Sequence, residues 1–296
     1  MKLISPLNYA GNKVKLLGQI LSLFQKDIDI FVDAFAGSGV VSLNSNAKKI
    51  ICNDINEHSI ELVKYLYESD STSIIKSMEA IIEKYGFTDS TNPKNHYIEY
   101  KHEGLSRYNK EPFAKLREDY NTSKSVDLLF ALIIYGFNHY LRFNKKKIFN
   151  VPVGKVDFSA SLRKKTIEFS DGIKKHDVVF IVGSYLDLDL YKNCTSKSLV
   201  YFDPPYSITT APYNSEWSKE DDQKLFDLFD YLTSKGIKVA MSNVFLSNGK
   251  ENKELIEWSK KYKVNYMKRQ YRNANYQKVN VTDTIEVLIT NYELEG

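Results

Sequence analysis

Ile28-Asp29-Ile30-Phe31-Val32-Asp33 runs straight into Ala34-Phe35-Ala36-Gly37-Ser38-Gly39, and Lys49-Ile50-Ile51-Cys52-Asn53-Asp54 follows. The first apolar run reads as a buried parallel strand ending in an acid, and the glycines as a sharp turn into a helix starting near Val40. The third run reads as a second strand with an acidic tip. Strand, glycine turn, helix and acid-tipped strand make one nucleotide-binding half of a doubly wound α/β sheet. The turn lacks the third glycine that a dinucleotide's pyrophosphate needs. Asp54, 15 residues after Gly39, stands where a carboxylate accepts hydrogen bonds from both ribose hydroxyls of a nucleoside without phosphates. The plainer alternatives are a tight turn for the glycines and a helix cap for Asp54.

Working outward, the α/β pattern breaks off and later resumes. Ile60, Leu62, Val63 and Leu66 space out an amphipathic helix, and a second covers Thr72 to Tyr85. Gly86 to Lys110 is polar and turn-rich, with Asp89-Ser90-Thr91-Asn92-Pro93 as its breaker. An apolar helical run spans Ser125 to Tyr140; a turn at Asn144-Lys145-Lys146-Lys147 and a short strand-like Ile148 to Val151 precede Pro152. Strands return at Val178 to Val182, Ser198 to Asp203, Ile237 to Asn243, Val264 to Met267 and Thr284 to Thr290. Helices fall between them, one opened by Ser218 with Asp221 as a cap and acidic first turn, and one from Glu254 to Tyr262. The expected organisation is one discontinuous domain, residues 1–69 and 176–296, interrupted by an insertion over 70–175.

Composition narrows the class. With 296 residues, 43% hydrophobic and 26% charged, the chain is long enough for a sizeable core and is not of disordered type. No stretch approaches the roughly 20 apolar residues of a membrane span, and the start MKLISPLNYAGNK lacks a leader's apolar run, so a cytoplasmic protein without a membrane role is expected. Cys52 and Cys194 have no ligand-spaced partners, which favours buried free thiols over a disulfide or zinc site, and no metal is expected. Charge is uneven: Lys101 to Lys175 holds 16 Lys or Arg against 8 Asp or Glu, in a chain of formal net charge +4. That excess is either a solvated lysine-rich face or a phosphate-binding footprint.

Asp203-Pro204-Pro205-Tyr206, closing the run that begins at Ser198, carries the most chemistry. Attack of an exocyclic adenine amine on a sulfonium methyl needs the nitrogen lone pair drawn out of the ring and held in line. Two acceptors on the N–H groups do this. Asp203 supplies one through its side chain. Pro204 has no amide donor and offers its carbonyl as the other, while Pro205 holds Pro204 extended. Tyr206 is a stacking platform for a base, a contact worth about 1–3 kcal/mol. In duplex DNA the adenine would have to rotate out of the stack, at a cost of a few kcal/mol. The alternative is a proline-terminated strand covered by an aromatic, which leaves the acid unexplained. Lys13, after the turn Asn8-Tyr9-Ala10-Gly11-Asn12, has three open readings: a partner for a cofactor carboxylate, a DNA contact, or an exposed lysine without a role.

Together these residues resemble the Dam-like, D12 class of DNA adenine-N6 methyltransferases, with motifs in order at Asn8 to Lys13, Phe35 to Gly39, Asn53-Asp54, Phe137 to Pro152, Asp203 to Tyr206 and Ser242-Asn243. The resemblance implies a Rossmann-like class I methyltransferase sheet with an inserted, mainly helical target-recognition domain containing a β-hairpin. It implies S-adenosylmethionine as methyl donor, surrounded by Tyr9, Ala10, Gly11, Lys13, Asp33, Phe35, Ala36, Gly37, Ser38, Gly39, Asp54, Ile55 and Asp203. It also implies double-stranded DNA as partner, entered by Phe137 beside Asn138, read at guanine by Arg142 and touched at thymine by Pro152. Asn144 is a further candidate DNA contact, and Lys145, Lys146 and Lys147 suit phosphates; each lysine is otherwise ordinary surface, and Phe137 a core aromatic. Phe137 stands where the family usually has tyrosine, keeping a wedge without its hydroxyl, and the Asn8 to Lys13 turn departs from the commoner form with paired glycines. Asn273 to Lys278 is a further candidate DNA-facing loop.

These residues set the expectation of adenine-N6 methylation in a short palindrome, GATC first and CATG among the alternatives, by a monomer on cytoplasmic DNA. A cognate restriction endonuclease acting separately is a candidate partner. RNA methylation, cytosine-N4 methylation and a catalytically silent DNA-binding protein remain the competing readings.

Overall fold

The computed structural model describes residues 2–7, 11–92, 104–209, 217–268 and 284–294. The chain divides into two compact units: residues 13–36, 41–55 and 176–296 form one, and residues 1–12, 37–40 and 56–175 the other.

The first unit is built on a single sheet. Its strands are β1 (Ile30–Asp33), β2 (Lys49–Asp54), β3 (Asp177–Val182), β4 (Ser198–Phe202), β5 (Lys238–Ser247), β6 (Lys250–Glu251), β7 (Lys263–Tyr266) and β8 (Ile285–Thr290). They lie in the order β3-β2-β1-β4-β5-β8-β7, with β6 beside β5. Strands β3, β2, β1, β4 and β5 are parallel, whereas β8 runs antiparallel to both β5 and β7. This is a Rossmann-like, doubly wound sheet with an antiparallel strand inserted between β5 and β7, as the resemblance implied. Its central strands carry apolar runs because both faces are covered: Phe31, Val32 and every residue from Leu199 to Phe202 are at most 1% exposed. One face packs on α7 (Lys219–Ser234), whose Leu225, Phe226, Phe229 and Leu232 meet Val200, Phe202, Val239 and Met241. Phe24, beyond α1 (Leu17–Ser22), lies 5.4 Å from Phe31 and 5.7 Å from Tyr201, ring to ring. The expected cap of α7 is a complete capping box, Ser218 and Asp221 each bonding the other's backbone. Helix α8 (Lys253–Ser259) completes the unit.

The second unit is helical, with α2 (Glu57–Glu68), α3 (Ser71–Tyr85), α4 (Ser106–Ser123), α5 (Val126–Tyr135) and α6 (Ala160–Ile173). Asn56, Asp70 and Ser159 cap α2, α3 and α6 with their side chains. Leu129 to Tyr135 of α5 are all buried; α5 packs on α2, α3 and α4, and α6 packs on α2 and α3. The unit's long segment starts at Asn56 and so takes in α2, where the sequence put the boundary of the insertion at residue 70.

Several elements differ from expectation, among them α1 and α6, which the sequence reading did not include. The helix expected near Val40 is only a 3-10 turn, Ser42–Asn44, ended by the extended Ser45 (ψ 164°). The Ser42 side chain is drawn to Asp33 and Cys52 instead of lying on a helix surface. Helix α4 starts at Ser106, inside the stretch read as turn-rich to Lys110. The run expected to be helical to Tyr140 stops at Tyr135, because the chain returns alongside it: Gly154 donates to the Tyr135 carbonyl (2.7 Å), Phe137 donates to that of Pro152 (2.8 Å), and Gly136 bridges Val153.

Candidate active site

The strand order reverses between β1 and β4, and the carboxyl ends of the parallel strands on either side of that point carry the site. Asp33 ends β1, Asp54 ends β2, and Asp203 follows β4. Asn53 ties these ends together. Its side-chain amide donates to the carbonyls of Ala34 and Gly183, both at 3.1 Å, and its own carbonyl accepts from Ala36 (2.8 Å). In the turn after β1, Gly37 (φ 52°) and Gly39 (φ 68°) hold left-handed backbone angles that a side chain disfavours.

Asp33 is 1% exposed, and one of its carboxylate oxygens, Oδ1, has no hydrogen-bond partner. Burial pushes its carboxyl up to about 7, opposed by a bond from Ser42 and reinforced by the negative charges of Asp203 and Asp54. A buried acceptor without a hydrogen bond, in the field of two further acids, has the chemistry to pair with a cationic group. Asp54 is 8% exposed; Ile55 beside it is 79% exposed. Phe35 lies among aromatics: its ring is 4.9 Å from Tyr185 and 5.8 Å from Trp217, and those two are 5.5 Å apart. Trp217 is held by its indole N–H on Asp222 (2.8 Å).

Asp203 Oδ1 accepts from two groups. Lys13 Nζ lies 2.7 Å away, and the Tyr206 hydroxyl donates at 3.0 Å. The ammonium also sits 5.0 Å from the centre of the Tyr206 ring. Lys13 is 7% exposed, so the reading of an exposed lysine without a role is overturned. Burial, with the adjoining Asp203 charge, pushes the Tyr206 phenol far above its ordinary value. Pro204 is buried, Pro205 half-buried, and both peptide bonds are trans. Behind the site, Tyr201 and Ser242 of the neighbouring β5 share a buried hydrogen bond of 2.7 Å.

Tyr9 and Ala10 lie outside the described residues, as does Asn273 to Lys278. Ala36 and Ser38 are buried and Gly11 is exposed. Both thiols are free, Cys52 buried and Cys194 half-buried. Among the described residues no group of three or more His, Cys, Asp or Glu side chains is placed to hold a metal, and no helix is long and apolar enough to cross a membrane.

In the helical unit the candidate DNA residues lie along one stretch. Phe137 is 43% exposed in a 3-10 turn, with Asn138 (φ 51°) and His139 (φ 55°) both left-handed. Arg142 is exposed and donates from Nε and Nη2 to the side chain (3.0 Å) and carbonyl (2.9 Å) of Asn150. Asn144 closes the following turn by accepting from the backbones of Lys146 and Ile148, leaving Lys145, Lys146 and Lys147 exposed. Phe143 and Phe149 form a single antiparallel bridge, so the expected hairpin is present in its shortest form. Pro152 is exposed.

Sequence reading missed Tyr185, Trp217, Ser42 and His58. Tyr185 alone carried a signal, since it follows β3 at the carboxyl edge of the sheet, where α/β folds bind ligands.

The family profile described as D12 class N6 adenine-specific DNA methyltransferase matches residues 9–275. The chain belongs to this family. Among its D12-class relatives, it is 38% identical over 298 residues to the type II methyltransferase M.FokI of Planomicrobium okeanokoites, covering 97% of this chain and 43% of that protein. It is 36% identical over 299 residues to the modification methylase StsI of Streptococcus sanguinis, covering 98% and 43%. With the DNA adenine methylase of Salmonella typhi it shares 27% over 247 residues, 80% of this chain and 79% of that one. The D12-class chain therefore spans less than half the length of the first two relatives.

Proposed function

We propose that this chain transfers a methyl group from S-adenosylmethionine to the N6 amine of an adenine flipped out of duplex DNA. The observation that carries the reading is the set of three strand-end acids, Asp33, Asp54 and Asp203, together with the Pro-Pro-Tyr segment that follows the last of them. The residues present fit the cofactor. Asp33, with its unpaired buried oxygen, suits the ammonium group, Asp54 the ribose hydroxyls, and Phe35, Tyr185 and Trp217 an adenine ring. Tyr9, Ala10, Gly11, Ala36, Gly37, Ser38, Gly39 and Ile55 complete the proposed surround. S-adenosylmethionine, when bound, supplies an electrophilic methyl on its sulfonium.

The chain's own residues then orient the amine. Asp203 Oδ1 already accepts from Lys13 and Tyr206, so Oδ2 is the oxygen offered to one adenine N6–H. The Pro204 carbonyl takes the other N–H, and Pro205 keeps it extended. Lys13 and Tyr206 fix the carboxylate, which raises the fraction of bound bases aligned for attack. Phe137 enters the duplex beside Asn138, Arg142 reads a guanine, Pro152 touches a thymine, and Asn144 with the three following lysines contacts phosphates, within a target-recognition domain over residues 70–175. GATC is the first sequence to test and CATG the second. The names of two relatives, a type II methyltransferase and a modification methylase, support a place in a restriction-modification system.

Incubation with methyl-labelled cofactor and unmethylated duplexes, followed by nucleoside analysis, tests the proposal. N6-methyladenine is the expected product. Label on cytosine N4, on RNA but not DNA, or on nothing despite tight DNA binding overturns it.

A further inference from the structure

The hairpin around Arg142 has little sheet structure to hold it. One bridge joins Phe143 to Phe149, and Asn144 to Ile148 are exposed. Its anchorage is aromatic. Phe149, 1% exposed, meets Phe143 (5.6 Å, 80°) and Tyr120 of α4 (6.1 Å, 82°) edge-on, and its N–H donates to Asn121 Oδ1 (2.9 Å). On the other side, Phe143 lies flat on the imidazole of His58 in α2, with centroids 4.0 Å apart and planes at 20°.

His58 is itself fixed from several directions. Its backbone N–H donates to the α2 cap, Asn56 Oδ1, at 3.1 Å. Glu61 Oε2 lies 3.5 Å from its Nδ1, and Glu57 Oε1 lies 3.8 Å from its Nε2. The same Glu57 oxygen is 3.7 Å from Lys147 Nζ in the hairpin turn, but that pair is 57% and 84% exposed and adds little. Among the described residues, the flat ring contact is the aromatic restraint between α2 and the segment that carries Arg142 next to Phe143.

We infer that His58 is a positioning residue for target reading: its stack on Phe143 sets the angle at which the hairpin presents Arg142 and the lysine turn to DNA. His58 is given no contact with base or cofactor. The inference rests on the proposed reading of this hairpin as the DNA-reading element.

The test compares His58→Ala and His58→Phe in the full chain. Three quantities are measured: KM for the duplex, the ratio of kcat/KM between the preferred duplex and single-base variants of it, and the dissociation constant of S-adenosylhomocysteine. Loss of an aromatic stack predicts a KM about two- to ten-fold higher in His58→Ala and a discrimination ratio lower by a similar factor. Cofactor-product affinity and kcat at saturating DNA are expected to stay within about two-fold. His58→Phe keeps a flat ring and restores both DNA parameters. An unchanged KM and ratio in His58→Ala overturns the inference, and so does a His58→Phe variant as impaired as His58→Ala. If His58→Ala does not fold, Phe143→Leu is read in the same way, since it keeps an apolar side chain and removes the stack. Absence of transfer by the unaltered chain overturns the proposed function and this inference with it, whereas transfer with an indifferent His58 overturns this inference alone.

Discussion

Asp33→Asn separates the proposed cofactor role of Asp33 from its structural cost. The carboxyl is buried and pushed from an ordinary 3.8 to about 7, chiefly by loss of hydration. A proton held that much more tightly by the folded chain means that full ionisation costs the apo fold about 4 kcal/mol. The folded state binds more protons than the unfolded state between those two values, so stability falls as pH rises from about 4 to 7 and is level above. Asparagine has the same shape without the charge. The variant should therefore be the more stable at pH about 8, by up to about 4 kcal/mol, with the difference closing as pH falls towards about 4. Binding should move the opposite way. If Asp33 meets the cofactor's ammonium, it must be ionised to do so, and affinity should weaken as pH drops below about 7. Calorimetric titration with S-adenosylhomocysteine, whose ammonium stays protonated over this range, should show the unaltered chain binding about eight-fold more weakly at pH about 6.0 than at about 7.4, the ratio of ionised fractions for a carboxyl titrating near 7. Asp33→Asn should bind more weakly at pH about 7.4 and lose that dependence. An affinity indifferent to pH in the unaltered chain, or the same pH response in both proteins, would refute the assignment of Asp33 to a cationic group.

Asp203→Ala should abolish detectable methyl transfer. It also removes the carboxylate 2.7 Å from the 7%-exposed Lys13 ammonium, so a loss of stability is expected in denaturant unfolding, and normal turnover would remove Asp203 from the site. Arg142→Ala should relax the preference at one guanine by about 1–3 kcal/mol in competition between duplexes, and an unchanged preference would take it out of the recognition set. Replacing Lys145, Lys146 and Lys147 together with alanine should weaken DNA binding and reduce the slope of log affinity against log salt by about three; an unaltered slope would place these side chains away from phosphates.

Much of the catalytic unit was readable along the chain. Each parallel strand is a short apolar run closed by an acid or a turn, the cap before α7 needs only Ser218 and Asp221, and the Asp203 to Tyr206 chemistry follows from four adjacent residues. The failures share a cause. The helix expected near Val40 gave way to a 3-10 turn in which Ser42 is drawn to Asp33 and Cys52, and α5 ended at Tyr135 because residues 152–154 come back beside it. Local pattern does not record a competitor that arrives from elsewhere in the chain.

The same distinction divides the functional residues. Periodicity and turn chemistry, which act over a few neighbouring residues, were enough to read a doubly wound sheet and its acidic strand ends, while the order of the motifs carried the resemblance to the family. Three-dimensional packing assigned Lys13 to Asp203, the aromatic neighbours to Phe35, the unpaired oxygen to Asp33 and His58 to the hairpin. Those pairings join residues far apart in the chain, and their energies depend on burial, distance and ring angle, quantities that exist only once the backbone has closed on itself.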